Sequence, residues 1–393
     1  MARKNTSEKL EKRVIGKSMT GICFPSARLY KNQRKLFTPA SNTKLYTSWF
    51  ACKSLGENAS FHSEYSVADG TLYFRPMGNP LLDEPGMADV LENCEGRRIR
   101  EIVLETGFIR AGSYPDVWNF GDRGQSWGAP LSDVCFHENT LSATFDGRDN
   151  PPAVTLPAGT MHTFSFSPSV EEPHISERKV VLPSGFKGSF TFSVLEPENF
   201  LMRWLSDHLP ESGAPRKLRI GRLKGEPQRV AQFTLAEALH RMNKKSSNVI
   251  AELLLLHAAR PSGRDASTAA ASALMRMSLA AAGIGDAWLL DGSGLARGNL
   301  VSPAGTVKLL RLLQHFPSAV SSLPVGGRDG TLKERKLGSR IKAKTGSLGG
   351  VQTLSGFANG QPFSVMVNHF PQLDGADEAV RDWIDRLVTP PSR

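Results

Sequence analysis

Three short strings of the chain combine side-chain types at spacings that suit nucleophilic catalysis. They are Ser-Asn-Thr-Lys at 41–44, Ser-Ser-Asn at 246–248 and Lys-Thr-Gly at 344–346. A serine hydroxyl is a weak nucleophile at neutral pH and needs a base within hydrogen-bond reach. Lys44 follows Ser41 by about one helical turn and can be that base, provided that burial and a nearby positive charge lower its pKa.

The second and third strings supply groups that handle a peptide bond and a carboxylate. Ser246 can relay a proton to a leaving amine, and the Asn248 amide can bind a peptide group of the substrate. Lys344 can supply the positive charge beside Lys44 and, with the Thr345 hydroxyl, can hold a carboxylate through charge-assisted hydrogen bonds. The tetrahedral intermediate also needs an oxyanion hole, which backbone N–H groups can form. Together the strings predict acyl transfer through a serine ester.

Each string alone also has a purely structural interpretation. Ser41 and Ser246 are both suited to capping a helix, and 344–346 to forming a turn at a strand edge. A chance S-x-x-K match is expected about once in a chain of this length. The structural interpretations require three coincidences in a fixed order, so the conjunction favours catalysis.

Periodicity predicts the elements that position these strings. The apolar residues after Ser41 recur at helical spacing, which predicts a helix from near Ser41 to about Leu55, ended by the glycine that follows. On that helix Ser41 and Lys44 share one face. A helical region over 234–257, with a second run from Asn248, carries the second string.

The third string lies close to a predicted hairpin. Residues 351–358 alternate between apolar and polar, Asn359-Gly360 is a strong turn signal, and 363–370 is the returning strand. Lys344-Thr345-Gly346 lies just upstream, on or beside the first of these strands. The other predicted elements near the strings are helices over 1–17, 266–282 and 375–388, and strands over 19–24 and 27–31.

The stretch from about 60 to 225 has a different character, with Pro and Gly turns between short β-type runs. Strands are predicted there over 71–74, 102–104, 153–156, 162–166, 179–182 and 190–194. A chain of 393 residues is too long for one ordinary core. We therefore predict a catalytic domain formed by 1–60 and 226–393, and an inserted, mostly β region over 61–225 with a smaller nested domain near 150–215.

Composition and charge limit the class of protein. The chain is 40% hydrophobic and 22% charged, which is typical of a soluble globular protein, and it contains no apolar run long enough for a transmembrane helix. A net charge of +10 suits an anionic partner, such as an anionic polymer or an acidic membrane touched peripherally, or simply favours solubility. The basic residues are scattered and lack the motifs of nucleic-acid binders, so nucleic-acid binding is not predicted.

The cysteines and histidines show no pattern of a metal or redox site. The four cysteines, at 23, 52, 94 and 135, contain no C-x-x-C pair, and their pairing is left open. Cys52 lies in an apolar helical stretch and is expected to be a small buried side chain. The nine histidines lack spacings such as H-E-x-x-H, so neither a metal nor a cofactor is predicted.

With these residues, the chain resembles the low-molecular-mass penicillin-binding proteins of class C, the D-alanyl-D-alanine carboxypeptidases and endopeptidases of the penicillin-binding protein 4 type. Residues 37–45 are similar to the nucleophile segment of that family, and 243–248 to its second motif, with Ser247 where an aspartate is common. Further stretches resemble family landmarks in the expected order: 127–132, Asn139, 291–295, 301–303, 329–332 and 343–348.

The resemblance implies an α/β multidomain fold. Its core would be of the serine β-lactamase and transpeptidase type, an antiparallel sheet flanked by helices plus a helical lobe, with mostly β domains inserted between the first and second motifs. The interval of 205 residues (246 minus 41) leaves room for such an insert, although it is smaller than is usual in the family. Residues 105–108 stand in place of an Asp-rich segment, so side-chain specificity is not carried over.

The resemblance also implies roles for individual residues. Ser41 would form the acyl-enzyme and Lys44 activate it, while the Ser41 and Ser347 backbone N–H groups would form the oxyanion hole. The implied substrates are peptidoglycan stem peptides ending in D-Ala-D-Ala, with β-lactams as covalent inhibitors and no cofactor. The implied catalytic residues are Ser41, Lys44, Ser246, Asn248 and Lys344, and the implied substrate-binding residues are Thr345, Gly346 and Ser347.

Other interpretations stay open at the level of sequence. A β-lactamase shares the acylation step but needs an activated deacylating water, and no general-base glutamate stands out for it. A non-catalytic, penicillin-sensing or wall-binding protein is a further alternative, although intact motifs argue against it. The first residues lack the apolar segment of a secretory signal, which indicates a cytosolic protein or a processed form. The implied substrate favours a processed, exported protein of the bacterial periplasm or cell envelope.

Overall fold

The computed structural model of the chain describes residues 2–109, 112–147, 163–175, 179–210, 216–260 and 267–389. Contacts divide the chain into two compact units, Met1–Asn58 with Leu235–Arg393 and Ala59–Thr234. All three strings lie in the first unit.

The described residues form ten α-helices, of which α3 and α4 belong to the second unit. In chain order the helices are α1 (Ala2–Gly16), α2 (Thr43–Leu55), α3 (Glu84–Asn93), α4 (Pro197–His208), α5 (Leu235–Lys245), α6 (Asn248–Ala259), α7 (Thr268–Ala281), α8 (Pro303–Leu313), α9 (Pro317–Ser321) and α10 (Ala376–Val388).

Seventeen β-strands are found within the same residues, and β3 to β12 belong to the second unit. In chain order the strands are β1 (Met19–Phe24), β2 (Leu29–Lys31), β3 (Ser60–Ala68), β4 (Thr71–Arg75), β5 (Glu101–Leu104), β6 (Thr140–Asp146), β7 (Thr163–Ser167), β8 (His174–Ile175), β9 (Lys179–Pro183), β10 (Lys187–Ser193), β11 (Lys217–Ile220), β12 (Gln228–Thr234), β13 (Ala287–Trp288), β14 (Leu300–Val301), β15 (Ile341–Leu348), β16 (Val351–Ala358) and β17 (Gln361–Asn368).

The main sheet of the first unit has five antiparallel strands in the order β15-β16-β17-β1-β2. The predicted hairpin is confirmed: β16 and β17 are joined at Asn359 and Gly360, which both have positive φ, as such tight turns require. The third string lies within β15, the outer strand of the sheet. A bridge between Val325 and Lys342 covers the first half of the outer edge of β15.

Helices cover both faces of this sheet. Neighbouring residues of a strand point to opposite faces. Ile22 of β1 belongs to the core that α1 and α10 close, whereas a Cβ on Gly21 would meet Pro303 of α8 at 2.9 Å. Because of this double cover, β16 is buried at every position, and the alternation expected for 351–358 does not correspond to an exposed face.

A helical lobe surrounds α2, the helix that follows the first string. Helices α5, α6, α7 and α9 all contact α2, and most residues of α2 and α6 are buried. The predicted helix after Ser41 is confirmed, and it ends before Gly56, which has φ 84°. The predicted helices over 1–17, 266–282 and 375–388 are confirmed to within two residues at each end by α1, α7 and α10.

The predicted helical region over 234–257 consists of two helices, α5 and α6. The chain turns between them at Ser246, whose φ is 62°. The N-cap of α6 is Ser247, whose hydroxyl accepts from the Ile250 N–H at 3.3 Å. Ser246 is therefore not the capping residue that the structural interpretation of the second string requires.

The second unit contains a mixed five-stranded sheet in the order β11-β5-β4-β3-β12. Helices α3 and α4 contribute to its core, so this region is less purely β than the sequence indicated. Phe200, Leu201, Trp204 and Leu205 of α4 form one buried stripe, and Pro197 stands in its first turn. Strand β12 pairs with β3, so 228–234 lie with this unit and not with the catalytic domain predicted from 226.

A second, smaller core lies in the region where a nested domain was predicted. Strands β6 and β10 form one sheet, and β7, β9 and β8 form another. Phenylalanines from both sheets pack together around Phe145, which stacks on Phe190 with ring centroids 5.5 Å apart. The strand predicted over 153–156 and residue 162 lie outside the described residues, and the nested domain stays a prediction.

All four cysteines are free and buried, which confirms the expectation for Cys52. Among the described residues, no helix has the length and apolar character needed to cross a membrane.

Candidate active site

The three strings converge beside the beginning of α2. Ser41 lies in a short 3₁₀ turn, Ala40–Asn42, directly before α2, and Lys44 lies in the first turn of α2. Lys44 Nζ donates a hydrogen bond to Ser41 Oγ at 3.0 Å. Ser41 is partly exposed, whereas Lys44 is fully buried. A buried amine thus lies against an accessible hydroxyl.

The turn that carries Ser41 is held in an unusual backbone conformation. Ala40 has φ 48°, a left-handed conformation that costs a non-glycine residue about 1–3 kcal/mol. Gly294 approaches so closely that a Cβ on it would lie 1.9 Å from the Ala40 carbonyl oxygen. On the other side, Thr353 Oγ1 donates to the Pro39 carbonyl at 2.9 Å. The neighbouring segments therefore fix the position of Ser41.

Lys44 satisfies all three donors of an ammonium group. Besides Ser41 Oγ, Nζ donates to Asn248 Oδ1 at 2.6 Å and to the Ser293 carbonyl at 2.7 Å. Burial lowers the pKa of Lys44 to about 7, and the negative charges of Asp291 and Glu252 oppose this shift. Desolvation, rather than the positive charge expected from Lys344, is thus the main cause. When Lys44 loses its proton, the Ser41 hydroxyl can donate to Nζ across the same contact.

Lys344 and Ser246 form a second pair of lysine and serine. Lys344 Nζ donates to Ser246 Oγ at 2.9 Å and to the Thr345 carbonyl at 3.1 Å. Lys344 is fully buried, and its pKa lies well below the ordinary value because of burial, with the positive charge of Lys44 as a smaller cause. The site therefore holds two desolvated lysines, each bonded to a different serine.

Thr345, Gly346 and Ser347 follow Lys344 along β15. Thr345 Oγ1 donates to Thr331 Oγ1 at 2.9 Å, and Ser347 Oγ accepts from Gln352 Nε2 at 2.8 Å. Gly346 lies close to the nucleophile turn, since a Cβ on it would meet the Pro39 carbonyl at 2.6 Å. The structure thus brings all eight site residues predicted from sequence into one region.

Sequence reasoning missed several residues that support this arrangement. Asp291 lies in a stretch that resembles a family landmark, and it accepts from the Gly294 N–H at 2.9 Å and the Ala296 N–H at 2.8 Å. Thr331 and Glu252 were not singled out. For Glu252 a signal existed, because it is the one acidic residue in the apolar run of α6. The positive φ of Ala40 had no signal, since alanine does not favour that conformation.

A polar cavity of about 390 Å³ adjoins the third string on the α10 side of β15. Both acidic and basic side chains line it, together with the hydroxyls of Thr345 and Ser347. The lining residues are Thr331, Glu334, Arg335, Lys336, Thr345, Ser347, Gln352, Glu378, Arg381, Asp382 and Asp385. Among the described residues, no group of three or more His, Cys, Asp or Glu side chains is arranged to hold a metal ion.

Comparison with known proteins places this site in a family. A sequence profile of the D-Ala-D-Ala carboxypeptidase 3 (S13) family matches residues 2–389. The chain belongs to the S13 family. Membership identifies it as a serine-type D-Ala-D-Ala carboxypeptidase, a peptidoglycan hydrolase of the penicillin-binding type. This confirms the family and the class of enzyme that the three strings indicated.

Individual S13 relatives and solved structures agree with this placement. The chain is 24% identical to penicillin-sensitive carboxypeptidase A of Dictyostelium discoideum, over 91% of this chain and 82% of that protein. It is 25% identical to the D-alanyl-D-alanine carboxypeptidase DacB of Haemophilus influenzae, over 81% and 76%. The crystal structure of penicillin-binding protein 4 from H. influenzae superposes with a TM-score of 0.77 at 22% identity, covering 98% of this chain and 99% of that one. The last similarity confirms the predicted fold class.

Proposed function

We propose that the protein removes the terminal D-alanine from peptidoglycan stem peptides ending in D-Ala-D-Ala, through an acyl-enzyme on Ser41. The 3.0 Å hydrogen bond between Lys44 Nζ and Ser41 Oγ carries this proposal. Because burial brings the pKa of Lys44 to about 7, a free amine is available beside the hydroxyl at neutral pH. That amine takes the Ser41 proton as Oγ attacks the carbonyl of the penultimate D-alanine.

The terminal carboxylate of the substrate would bind at the third string, against the Thr345 hydroxyl and the Lys344 ammonium. A negative charge in direct contact with a buried lysine favours the protonated form of that lysine. Since burial holds the pKa of Lys344 well below its ordinary value, the arriving carboxylate would raise that pKa. The substrate would thereby bring Lys344 into its charged state.

Breakage of the C–N bond requires a proton for the leaving amine. In this proposal Ser246 Oγ donates it, and Lys344 Nζ, 2.9 Å away, replaces the proton that Ser246 loses. After acylation Lys44 holds the proton from Ser41, and Lys344 has lost one. Water then attacks the ester, and its oxygen, with one hydrogen, bonds to the acyl carbon. The bond between that carbon and Ser41 Oγ breaks, Oγ takes the other proton of the water, and the product leaves as a carboxylic acid. Exchange of a proton from Lys44 to Lys344 restores the starting state.

The oxyanion hole is assigned to the backbone N–H groups of Ser41 and Ser347. Support comes from Gly346, since a Cβ there would lie 3.1 Å from the Ser41 nitrogen. Only a residue without a side chain lets β15 approach Ser41 this closely. Asn248, bonded to Lys44 through Oδ1, would present its amide to the substrate peptide. We propose that the unit formed by Met1–Asn58 and Leu235–Arg393 is the catalytic domain that carries these steps.

The intact mass of the protein after a brief incubation with benzylpenicillin tests this function directly. We expect a single adduct that maps to Ser41, persists through a chase without drug and is absent from Ser41→Ala. D-alanine release from a diacyl-D-Ala-D-Ala peptide should likewise require Ser41. A Ser41→Ala protein that still forms the adduct would contradict the assignment, as would parent protein that leaves the drug intact and unbound.

A second activity, cleavage of cross-linked peptides, is favoured by the polar cavity beside Thr345 and Ser347. The leaving group of a cross-link is a second peptide, which continues beyond the position of the terminal carboxylate. Free D-alanine would fill little of a cavity of about 390 Å³. Exchange of Lys336 and Arg381 for alanine should slow cleavage of a cross-linked dimer and leave D-alanine release unchanged. Equal effects on both reactions would argue against this use of the cavity.

A β-lactamase remains the competing proposal, and Glu252 does not support it. This glutamate is fully buried and accepts backbone N–H groups, so it is not arranged to activate a water in the cleft. Rapid, sustained loss of benzylpenicillin in the same experiment would decide for the β-lactamase. Action on peptidoglycan also requires export, and we propose the bacterial periplasm or cell envelope as its location. Recovery from the cytosol alone in a fractionated producing cell would contradict that location.

A further inference from the structure

Glu252 is a charged side chain placed in the most apolar part of the helical lobe. It lies on α6, about one helical turn beyond Asn248, and no part of it is exposed. Its neighbours on the helix, Ala251 and Leu253, are equally buried. A carboxyl group at such a position costs stability unless hydrogen bonds compensate it, so its presence requires an explanation.

The carboxyl group of Glu252 accepts from two successive backbone N–H groups of the 291–295 turn. Oε1 accepts from the Gly292 N–H at 3.0 Å and from the Ser293 N–H at 2.9 Å, and Oε2 accepts from Gly292 at 3.1 Å. Gly292 allows this approach, because a Cβ there would lie 2.8 Å from the Ala251 carbonyl oxygen. Glu252 thus holds the backbone of the turn from the side of α6.

The residue held in this way contacts the proposed base. The Ser293 carbonyl accepts from Lys44 Nζ at 2.7 Å, while the Ser293 N–H is bound by Glu252. Asn248, on the same helix as Glu252, accepts from Nζ at 2.6 Å. Helix α6 therefore positions Nζ twice, directly through Asn248 and indirectly through the Ser293 peptide.

The charges around Lys44 come from three other elements. Glu252 faces it from α6, Asp291 from the turn and Lys344 from β15, while Ser41 and Asn248 are neutral contacts. Burial raises the pKa of Glu252 to about 8, and the negative charge of Asp291 adds to this, while the two backbone N–H groups favour the ionised form. Near neutral pH the contribution of Glu252 therefore comes from its hydrogen bonds rather than from its charge.

We propose that Glu252 is a positioning residue for Lys44, because it holds the Ser293 carbonyl against Nζ. The inference rests on the proposed function, in which Lys44 activates Ser41.

The test separates the hydrogen bonds of Glu252 from its charge. In Glu252→Gln an amide oxygen can keep both bonds of Oε1, so the turn stays in place while the charge is lost. The rate of acylation by benzylpenicillin, measured against pH on the full chain, should keep the plateau of the parent in this variant, because the bonds to the turn are kept. A plateau as low as that of the Glu252→Ala protein overturns the proposal.

Glu252→Ala removes the hydrogen bonds as well. We expect a plateau acylation rate at least about 10-fold lower, because the Ser293 carbonyl is no longer held and Nζ is misplaced. Substrate KM should change little, since Glu252 touches no proposed binding residue. A folded Glu252→Ala protein that acylates at the parental rate would overturn the positioning role.

Asp133→Asn is the matched control. Asp133 is also a buried carboxyl, 3% exposed, that accepts backbone N–H groups, from Gly107, Phe108 and Ile109 in the second unit. Its replacement should leave the pH profile of acylation unchanged. The Ser41→Ala protein distinguishes the two proposals. If it still forms the adduct, the proposed function fails, whereas parental acylation by Glu252→Ala with an inert Ser41→Ala protein refutes the role of Glu252 alone.

Discussion

Gly346 and Ser41 approach each other so closely that a Cβ on Gly346 would lie 3.1 Å from the Ser41 backbone nitrogen. The same Cβ would lie 2.3 Å from Thr353 Oγ1, a hydroxyl that is itself bonded to the Pro39 carbonyl. The absence of a side chain at Gly346 thus allows strand β15 to pack directly against the turn that carries the nucleophile.

The Gly346→Ala substitution should therefore lower the rate of acylation more strongly than it lowers the stability of the fold. The added methyl group pushes β15 away from Ser41 and removes one donor of the proposed oxyanion hole, a change that typically costs about 10²–10³-fold in rate. Stopped-flow acylation with a chromogenic β-lactam measures it. Gly338→Ala is the control, because a Cβ there meets nothing within 4 Å. Parental acylation by the Gly346→Ala protein would refute the close approach.

The acylation rate should fall as the pH decreases through about 7. The pKa of Lys44 is lowered to about 7 by burial, so below this pH the amine is protonated and cannot take the Ser41 proton. Lys44→Arg should be inactive across the whole range, because a guanidinium stays charged. Acylation rates measured between about pH 5 and 9 check this, because that range extends about two units on either side of this pKa. A flat profile in the parent protein would contradict a base with this pKa.

Lys344→Met should stabilise the protein at neutral pH while it abolishes catalysis. Burial lowers the pKa of Lys344 in the folded state, so the unfolded chain binds the proton more tightly. Between the folded and unfolded pKa values, stability therefore rises with pH in the parent protein, and methionine removes this dependence.

The gain in the free energy of unfolding should be about 1–3 kcal/mol near pH 7, and it should disappear as the pH rises above about 10.4. Urea unfolding at several pH values measures it. Lys342→Met, on an exposed position of the same strand, is the control; it keeps Lys344 and should therefore keep the parental dependence of stability on pH. A Lys344→Met protein less stable than the parent at neutral pH would show that the hydrogen bonds of Lys344 outweigh its desolvation.

Thr331→Val should weaken turnover of substrates that carry a terminal carboxylate. Thr331 Oγ1 accepts from Thr345 Oγ1 at 2.9 Å. When the Thr345 hydroxyl turns to donate to a substrate carboxylate, the Thr331 hydroxyl can donate to Thr345 Oγ1 in return and so orient it. Loss of one such hydrogen bond is worth about 1 kcal/mol, or roughly a 5-fold lower kcat/KM for a D-Ala-D-Ala peptide. Thr331→Ser should retain parental values. If valine and serine behave alike, the Thr331 hydroxyl has no part in binding.

Local patterns predicted most of the elements that carry the site. The helix after Ser41 and the hairpin at Asn359-Gly360 depend on short-range periodicity and turn chemistry, which the sequence displays directly. The convergence of the three strings followed from their order and from the family resemblance. The catalytic roles of five of these residues and the substrate-binding roles of the other three stay predictions.

Features that depend on distant partners were not predictable. The full burial of β16 requires helices α8 and α10 on opposite faces of the sheet. Helix α4 was not predicted, because it lies in a stretch of short β-type runs. The left-handed conformation of Ala40 is imposed by packing, since Gly294 and Thr353 hold the turn on either side. The role of Glu252 depends on a turn that lies 40 residues further along the chain.

Strand β15 is the outer strand of its sheet, and an open edge usually invites pairing with other chains and aggregation. Here the bridge from Val325 covers Lys342, and the Ala343 N–H donates to the Pro324 carbonyl at 3.0 Å, so the first half of the edge is closed. No strand of the described chain pairs with the outer edge of 345–348. On this edge of the sheet, an extended peptide can add its backbone only at this short stretch, which lies beside Ser41. The part of the edge that stays open for strand pairing is thus the part nearest to the nucleophile.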